Sequence, residues 1–403
     1  LALSIWVIGG ILSLLGALTY GELGAMDGGS GGLYSYLRDA FGPFPAFLYG
    51  WTLLLVLATG SVATLAAAAA QYFGEFVALG AFGKKAFAVG VIAVLGVVNV
   101  LSTRKSATLQ NVATAIKVTA ILVMSGLLIA LGSGGPPASQ VSGAAAPSFM
   151  AGVSIAMISV LWAYEGWQYS TFAVGEALDP QRSFPRALVS GTVILIALYV
   201  LANIAYVAAL GGARVAASER VAAEAVTTVV GPTAGRLVAG AIMISMFSAA
   251  LAIVITAPRV YYTMARDGLF FGKLAEVHPR FGTPAFAIVV GTLWSMVLAA
   301  TGTFQQLLTY VVFIGWIFYG LGAMAVIVLR RTRPAAARPF RVPGYPWTPV
   351  VFTLSAAAIV ANTILTRPRD VVLGLLIVAL GAPAYLIWRR RRTAPAEAAV
   401  AAR

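Results

Sequence analysis

The sequence lacks cysteine and carries very little charge. Its 403 residues include no cysteine and one histidine, and only 10% are Asp, Glu, Lys or Arg. Disulfides, thiolate metal sites and cysteine nucleophiles are therefore excluded, and His278 alone cannot form a multi-histidine metal site. No polar stretch is long enough for a nucleotide-binding domain. The sequence predicts no cofactor and no metal.

Apolar residues dominate what is present. Residues of the hydrophobic types make up 60% of the chain, against about 45–50% in soluble domains. The chain therefore needs lipid as its main solvent, and apolar runs of roughly 20 residues can each cross the bilayer as a helix. An all-α polytopic membrane protein is predicted, with eleven runs at about 1–20, 44–70, 86–101, 107–131, 149–174, 187–210, 236–262, 284–301, 305–329, 348–365 and 370–388.

The basic residues fall unevenly on the two sides of these runs. Of 27 Lys and Arg, one lies inside a run, 19 fall on one side, and the opposite side holds only Lys84, Lys85, Arg214, Arg220, Arg236, Arg367 and Arg369. The positive-inside rule makes the richer side cytoplasmic, so the C-terminus is predicted to be cytoplasmic. The same rule explains the net charge of +14 without nucleic acid as a partner.

The chain starts inside an apolar run, without an initiator Met. We expect one further span upstream, which makes twelve spans in all. The visible chain is predicted to be one transmembrane domain over 1–392, with an external connector at 132–147 and a disordered cytoplasmic tail at 393–403.

A polar stripe lies inside the run 107–131. Gln110, Thr114 and Lys117 are spaced i, i+4 and i+7 and therefore share one helical face. An ionisable residue inside a span is a functional candidate, which favours a protein interior or a cavity for Lys117. The alternative is a structural lysine that snorkels to the interface.

The run 149–174 contains the second candidate site. Its centre reads Trp162-Ala163-Tyr164-Glu165-Gly166-Trp167-Gln168. Gly166 weakens the helix, and local unwinding frees carbonyls and amides that need other partners. In transporters such a break offers those groups to the substrate. The alternative is an aromatic interface belt with a snorkelling glutamate.

A charged segment with two prolines follows at 175–186. It contains Glu176, Asp179 and Arg182. These residues either form ion pairs that hold one state of a gate or belong to a solvated turn. The sequence leaves both open.

Together, these motifs resemble the amino acid–polyamine–organocation (APC) superfamily, in its L-type amino acid transporter branch. The resemblance covers nearly the whole chain and is carried by the order and spacing of several segments. They are Tyr20-x-Glu22-Leu23, Gly31-Gly32-x-Tyr34-x-Tyr36, Phe41-Gly42, Gly50-Trp51, Trp162 to Trp167, Glu176-x-x-Asp179-Pro180-Gln181-Arg182, Pro258-Arg259-x-x-Tyr262 and Gly282-Thr283-Pro284.

The resemblance implies an inverted 5+5 repeat, as in leucine-transporter-like folds. The first repeat covers about 1–131, the second about 149–329, and two extra helices about 348–388. The family's Gly-Ser-Gly carboxylate site lies in span 1, which this chain does not show.

The resemblance also implies roles for individual residues. The substrate ammonium meets the carbonyls of Trp162, Ala163 and Glu165. The whole implied substrate site comprises Trp162, Ala163, Tyr164, Glu165, Gly166 and Gln168. Lys117 takes the place of a coupling sodium, with Ser248 as a candidate partner, so transport is expected to be independent of sodium.

The expected function is secondary active transport of amino acids across the cell (inner) membrane by alternating access, with exchange as a hypothesis. Glu165 is either a selector for cationic substrates or a gate or proton-accepting group. The alternative function is a polyamine or other organic-cation transporter of the same fold. A membrane-embedded enzyme and a receptor subunit are weaker alternatives, and the sequence identifies no partner subunit.

Overall fold

A computed structural model describes residues 2–26, 29, 31–101, 103–134, 149–218 and 220–401. Helices account for almost all of the described chain, and no β-strand occurs in those residues. The connector predicted at 132–147 lies mostly outside them. The first half contains α1 (Ala2–Met26), α2 (Leu33–Phe41), α3 (Pro43–Thr52), α4 (Ala58–Phe73), α5 (Ala81–Leu101) and α6 (Thr103–Leu131).

The second half begins with a divided segment. It contains α7 (Phe149–Tyr164), a 3-10 helix (Trp167–Glu176), α8 (Pro180–Ala217), α9 (Val221–Val229), α10 (Pro232–Thr256), α11 (Pro258–Arg266), α12 (Ala285–Thr301), α13 (Phe304–Thr332), α14 (Trp347–Thr366) and α15 (Pro368–Ala401). A short 3-10 turn, Gly272–Ala275, lies between α11 and α12.

Within the described residues, nine helices are long and apolar enough to cross a membrane, and Ala285–Thr301 is a shorter apolar helix. In the part of the chain that the structure describes, the predicted apolar runs fall on helix, although 44–70, 149–174 and 236–262 are each divided between two or more helical segments. The coarse prediction of an all-helical, multi-pass membrane protein is confirmed.

Two segments form the centre of the molecule. The continuous stretch from α3 to α4 and most of α13 are buried, whereas α5, α6, α14 and α15 expose large apolar side chains such as Val97, Leu122, Leu354 and Leu380. In a bilayer the exposed side chains meet lipid instead of water, so this exposure costs nothing. α1 packs against α7 and α8, and α4 packs against α10, α12 and α13.

Glycine permits one close approach that positions the site. Gly32 precedes α2 with a φ of 45°, and a Cβ there would lie 2.7 Å from the backbone of Thr171. Any side chain at this position would therefore displace the 3-10 helix that follows α7. The backbone contact fixes α2 against that segment.

The C-terminal helix differs in length from its prediction. α15 continues to Ala401, whereas the sequence predicts a disordered tail from Thr393. Alanine has the highest intrinsic helix propensity, which accounts for helical backbone in a tail of this composition.

Candidate functional site

The helix that starts at Phe149 is interrupted at Glu165 and Gly166. α7 ends at Tyr164, and the chain resumes as a 3-10 helix at Trp167. Gly166 has φ 132° and ψ −29°, a conformation that side chains strongly disfavour. A Cβ at Gly166 would meet no atom within 4 Å, so the backbone conformation, and not lack of space, requires glycine. The interruption predicted from the sequence is present.

Gln168 holds the two ends of the break together. Its side chain is 1% exposed, and its Oε1 accepts a hydrogen bond from the Gly166 amide at 3.0 Å. Its Nε2 donates to Glu165 Oε1 at 3.0 Å and to the Tyr319 hydroxyl at 2.9 Å. The Tyr319 hydroxyl in turn donates to Glu165 Oε1. One carboxylate oxygen thus receives two donors.

The other oxygen of Glu165 is different. Oε2 is shielded from solvent and has no hydrogen-bond partner among the residues that the structure describes. A buried polar atom without a partner is costly. This oxygen is therefore available to a cationic group of a ligand or to a proton.

Two of the three main-chain oxygens expected to meet an ammonium group already have partners in this state. Trp162 O accepts the Glu165 amide at 3.0 Å, and Ala163 O accepts the Tyr199 hydroxyl at 3.1 Å. A carbonyl oxygen has two lone pairs, so each can accept a second donor.

Tyr164 is a packing residue in this state. Its side chain is fully buried, with its ring centroid 5.7 Å from that of Trp6 and 5.2 Å from that of Tyr199. These contacts join α7 to α1 and α8.

Sequence reasoning missed Tyr20 and Tyr319. The Tyr20 hydroxyl donates to the main-chain oxygen of Tyr319 at 3.0 Å, and its ring meets Trp167 edge to face at 4.9 Å between centroids. The two tyrosines therefore connect α1, the 3-10 helix and α13 around the break. A lone phenol inside an apolar run was the available signal, because its hydroxyl needs a partner when buried.

The polar stripe of α6 forms only part of the expected arrangement. Lys117 is half-buried, and it makes no hydrogen bond or ion pair with the described part of the chain. Ser248 does not contact it through a hydrogen bond, because its hydroxyl donates to Gln110 Oε1 at 2.9 Å. Thr114 donates to the main-chain oxygen of Gln110 at 2.8 Å. Gln110 therefore attaches α6 to α10, while Lys117 lies two turns further along α6.

One of the three candidate gate residues forms an ion pair. Glu176, at the end of the 3-10 helix, accepts two hydrogen bonds from Arg259 of α11, one of them from Nη2 at 2.9 Å. Asp179 and Arg182 are exposed, and neither has an ion pair among the described residues. Arg259 belongs to the motif Pro258-Arg259-x-x-Tyr262, but the motif alone does not identify the partner of its side chain.

A second buried carboxylate lies near the C-terminal end of α1. Glu22 is 0% exposed and accepts hydrogen bonds from Arg330 Nε at 2.8 Å, Arg330 Nη2 at 2.6 Å and the Val342 amide at 2.7 Å. Arg338 Nε lies 3.4 Å from Glu22 Oε1. Glu22 therefore joins α1 to α13 and to the loop that follows α13.

An ionic network on α2 lies on the same side of the predicted topology. Arg38 Nη1 donates to Asp267 at 2.7 Å and Nε to Asp39 at 3.1 Å, and Arg333 reaches Asp39 at 2.8 Å. Burial by itself lowers the pKa of Arg38, but the hydrogen bonds and charges of Asp267 and Asp39 outweigh it and raise that pKa above its usual range. Arg38 thus stays charged.

The broken helix and its buried carboxylate indicate the class of protein. The described residues contain no group of three or more His, Asp or Glu that could hold a metal ion. A broken helix with a buried carboxylate, inside a bundle of apolar helices, is the arrangement by which membrane carriers bind small charged solutes. The fold and the site thus define a carrier of the broken-helix type.

Comparison with known proteins gives the family. The family model described as amino acid permease matches residues 1–381. The chain belongs to this family, within the APC superfamily and its L-type amino acid transporter-like branch. The family and its characterised relatives are transporters and not enzymes, so the expectation of a non-enzymatic permease is confirmed.

Three relatives illustrate the similarity. The chain is 32% identical to the human b(0,+)-type amino acid transporter 1 over 372 residues, 91% of this chain and 76% of the relative. It is 29% identical to the serine/threonine exchanger SteT of Bacillus subtilis (strain 168), over 97% of this chain and 89% of the relative. It is also 30% identical to the human cystine/glutamate transporter, over 97% of this chain and 79% of the relative.

Proposed function

We propose that this amino acid permease is a sodium-independent exchanger that works by alternating access around the break at Glu165 and Gly166. The observation that carries the proposal is the break itself, where a glycine-only conformation interrupts a membrane helix beside a buried carboxylate. The names of two relatives, an exchanger and a cystine/glutamate transporter, support exchange.

The substrate is an amino acid, bound through its two charged ends. Its ammonium group lies at the carbonyls of Trp162, Ala163 and Glu165, and the amide ends of broken helices attract its carboxylate. Gln168 and Gly166 keep the break open in the correct geometry, and Tyr164 packs behind it.

Glu165 adds selectivity for a cationic side chain. Its Oε2 has no donor in the described residues, and an attraction between opposite charges is stronger in a low-dielectric interior than in water. The same atom favours the second candidate function, a polyamine or other organic-cation carrier, because such substrates also bring an ammonium group.

Glu176 and Arg259 form the inner gate in this proposal. Their ion pair connects the 3-10 helix to α11, so it opens and closes as these segments separate and approach. Asp179 and Arg182 remain candidates for a pair that forms in another state.

The membrane arrangement follows the sequence prediction. We place the C-terminus in the cytoplasm and the protein in the inner membrane. The two repeats, about 1–131 and 149–329, are related by inversion, and α14 and α15 are the extra helices. Lys117 supplies a fixed positive charge in place of a coupling sodium.

The experiment is uptake of labelled amino acids into proteoliposomes that contain the full-length protein. Vesicles preloaded with unlabelled amino acid are compared with empty vesicles, with and without sodium. We expect uptake at least tenfold faster into preloaded vesicles and no effect of sodium. Equal uptake into empty and preloaded vesicles would reject exchange.

A second arm of that experiment separates the two candidate functions. A panel of neutral and cationic amino acids is compared with putrescine and spermidine as the labelled solute. Uptake of the polyamines with no uptake of any amino acid would replace the amino acid exchanger with an organic-cation carrier.

A further inference from the structure

An apolar groove lies on the surface of the bundle, away from the break. Its walls are the middle of the α3–α4 stretch, the end of α12, the start of α13 and one residue of α15. The groove has a volume of about 240 Å³. The residues that line it include Leu55, Gly60, Trp294, Leu298, Tyr310 and Ile377. None of them belongs to the site described above.

A π-helical segment shapes the deep end of this groove. Leu53–Leu57 joins α3 to α4 as a π-helix, a wide turn that is frequent at functional sites. The irregular backbone leaves main-chain oxygens that bind side chains. The Trp294 indole donates to Leu55 O at 2.9 Å, so the indole is held as a fixed wall of the groove.

The groove opens to the surroundings of the bundle and extends along the C-terminal half of α12. Trp294 is 37% exposed, and Thr301 and Gln306 at the other end are exposed. Trp294 and Thr301 are seven residues apart on α12, which is about 10 Å along a helix. A stretch of this length on a membrane-spanning helix corresponds to about two-thirds of one leaflet of a ~30 Å hydrocarbon core.

Two cations stand at the polar end of the groove. Lys85 Nζ donates to Ala300 O at 2.7 Å, next to the lining residue Thr301. Arg367 Nη1 donates to the Thr309 hydroxyl at 2.8 Å, next to the lining residue Tyr310. One acid, Asp370, lies near Tyr310. Both residues are predicted to lie on the side that is poor in Lys and Arg, where the positive-inside rule does not account for them.

We propose that this groove binds one acyl chain of an anionic phospholipid, with its phosphate held by Lys85 and Arg367. The apolar wall takes the chain, and the cations take the headgroup by charge complementarity. A lipid here lies between the buried α3–α4 stretch and α13. Both helical segments pack around the divided helix that contains the break, so a bound lipid is placed to influence how these segments move.

Native mass spectrometry of the full-length protein tests this proposal. The protein is offered equal amounts of phosphatidylglycerol and phosphatidylcholine, and the retained lipids are counted. We expect one phosphatidylglycerol retained in preference to phosphatidylcholine. L298W fills the groove and should reduce retention at least tenfold, whereas V297W, on the neighbouring lipid-facing position, should retain lipid as the parent protein does.

The headgroup contacts have their own variants, which do not alter the groove wall. K85Q and R367Q should each reduce the preference for phosphatidylglycerol about fivefold, and K84Q, at the adjacent exposed lysine, should leave it unchanged. Equal retention of the two lipids by the parent protein would overturn the proposal. So would equal lipid retention by L298W and V297W, or a lipid-free dimer that covers the groove.

Discussion

Two buried carboxylates, Glu22 and Glu165, lie in the same bundle with very different surroundings. Glu22 receives three donated hydrogen bonds from Arg330 and the Val342 amide, and a second arginine, Arg338, lies beside it. Glu165 has two neutral donors on one oxygen and, among the described residues, none on the other.

The contrast separates a structural charge from a functional one. A carboxylate with donors on both oxygens and two arginines beside it connects helices and is already neutralised by the protein. A carboxylate with an open oxygen leaves part of its burial cost uncompensated, and a bound cation can supply the missing interaction. The first is therefore expected to control stability, and the second to control what is transported.

The largest effect is expected at Glu22. E22Q removes the negative charge between Arg330 and Arg338, and breaking a buried ion pair costs about 3–5 kcal/mol. Thermal unfolding of the purified protein measures this loss, with E276Q at an exposed glutamate as the control. If E22Q unfolds at the same temperature as E276Q, the structural role assigned to Glu22 is wrong.

Glu165 should give the opposite pattern. E165Q should lower uptake of arginine at least tenfold relative to leucine, since a charged contact to the substrate is lost, while the unfolding temperature changes little. Relative uptake of the two amino acids in preloaded vesicles checks this. Unchanged selectivity would show that Glu165 does not face the substrate's side chain.

Gly166 tests whether the backbone at the break matters independently of the charge. G166A introduces a side chain at φ 132°, and such strained conformations cost about 1–3 kcal/mol each. G191A on α8 is the matched control, because a Cβ there also meets no atom within 4 Å but lies in a regular helix. Uptake should fall at least fivefold in G166A only; equal activity of the two variants would count against a required break.

The smallest effect is expected at the ion pair of Glu176 and Arg259. The Glu176 side chain is 54% exposed, and exposed pairs contribute about 0–1 kcal/mol. E176Q should change the exchange rate about twofold, and less at high salt, where charges are screened. The rate is measured at low and high salt, and a salt-independent loss greater than tenfold would point to a different role.

Much of the fold could be predicted because hydropathy is a local property. The apolar runs fall on helices, and Gly166 beside Glu165 marked the break, since a carboxylate is unusual within a span and glycine weakens a helix. The π-helix at Leu53–Leu57 gave no such signal, because its residues are as apolar as those of an ordinary helix.

The pairing of side chains could not be predicted in the same way. Tyr319 and Glu165 are 154 positions apart, and Arg330 and Glu22 are 308 apart. A single sequence contains no direct record of such contacts. The pairing of Lys117 with Ser248 stays a prediction for this reason: the structure shows Ser248 donating to Gln110, where α6 and α10 pack together.

The natural absence of cysteine allows the most direct test of a substrate site at the break. A163C in the full-length protein introduces the only thiol of the described sequence, on the last turn of α7, and its rate of reaction with a small thiol reagent can be followed in vesicles. The amino acid site proposed here predicts that transported amino acids slow the reaction of A163C at least fivefold. The control T301C, at the end of α12, should react at the same rate with and without amino acids. A rate at A163C that no amino acid changes would contradict it.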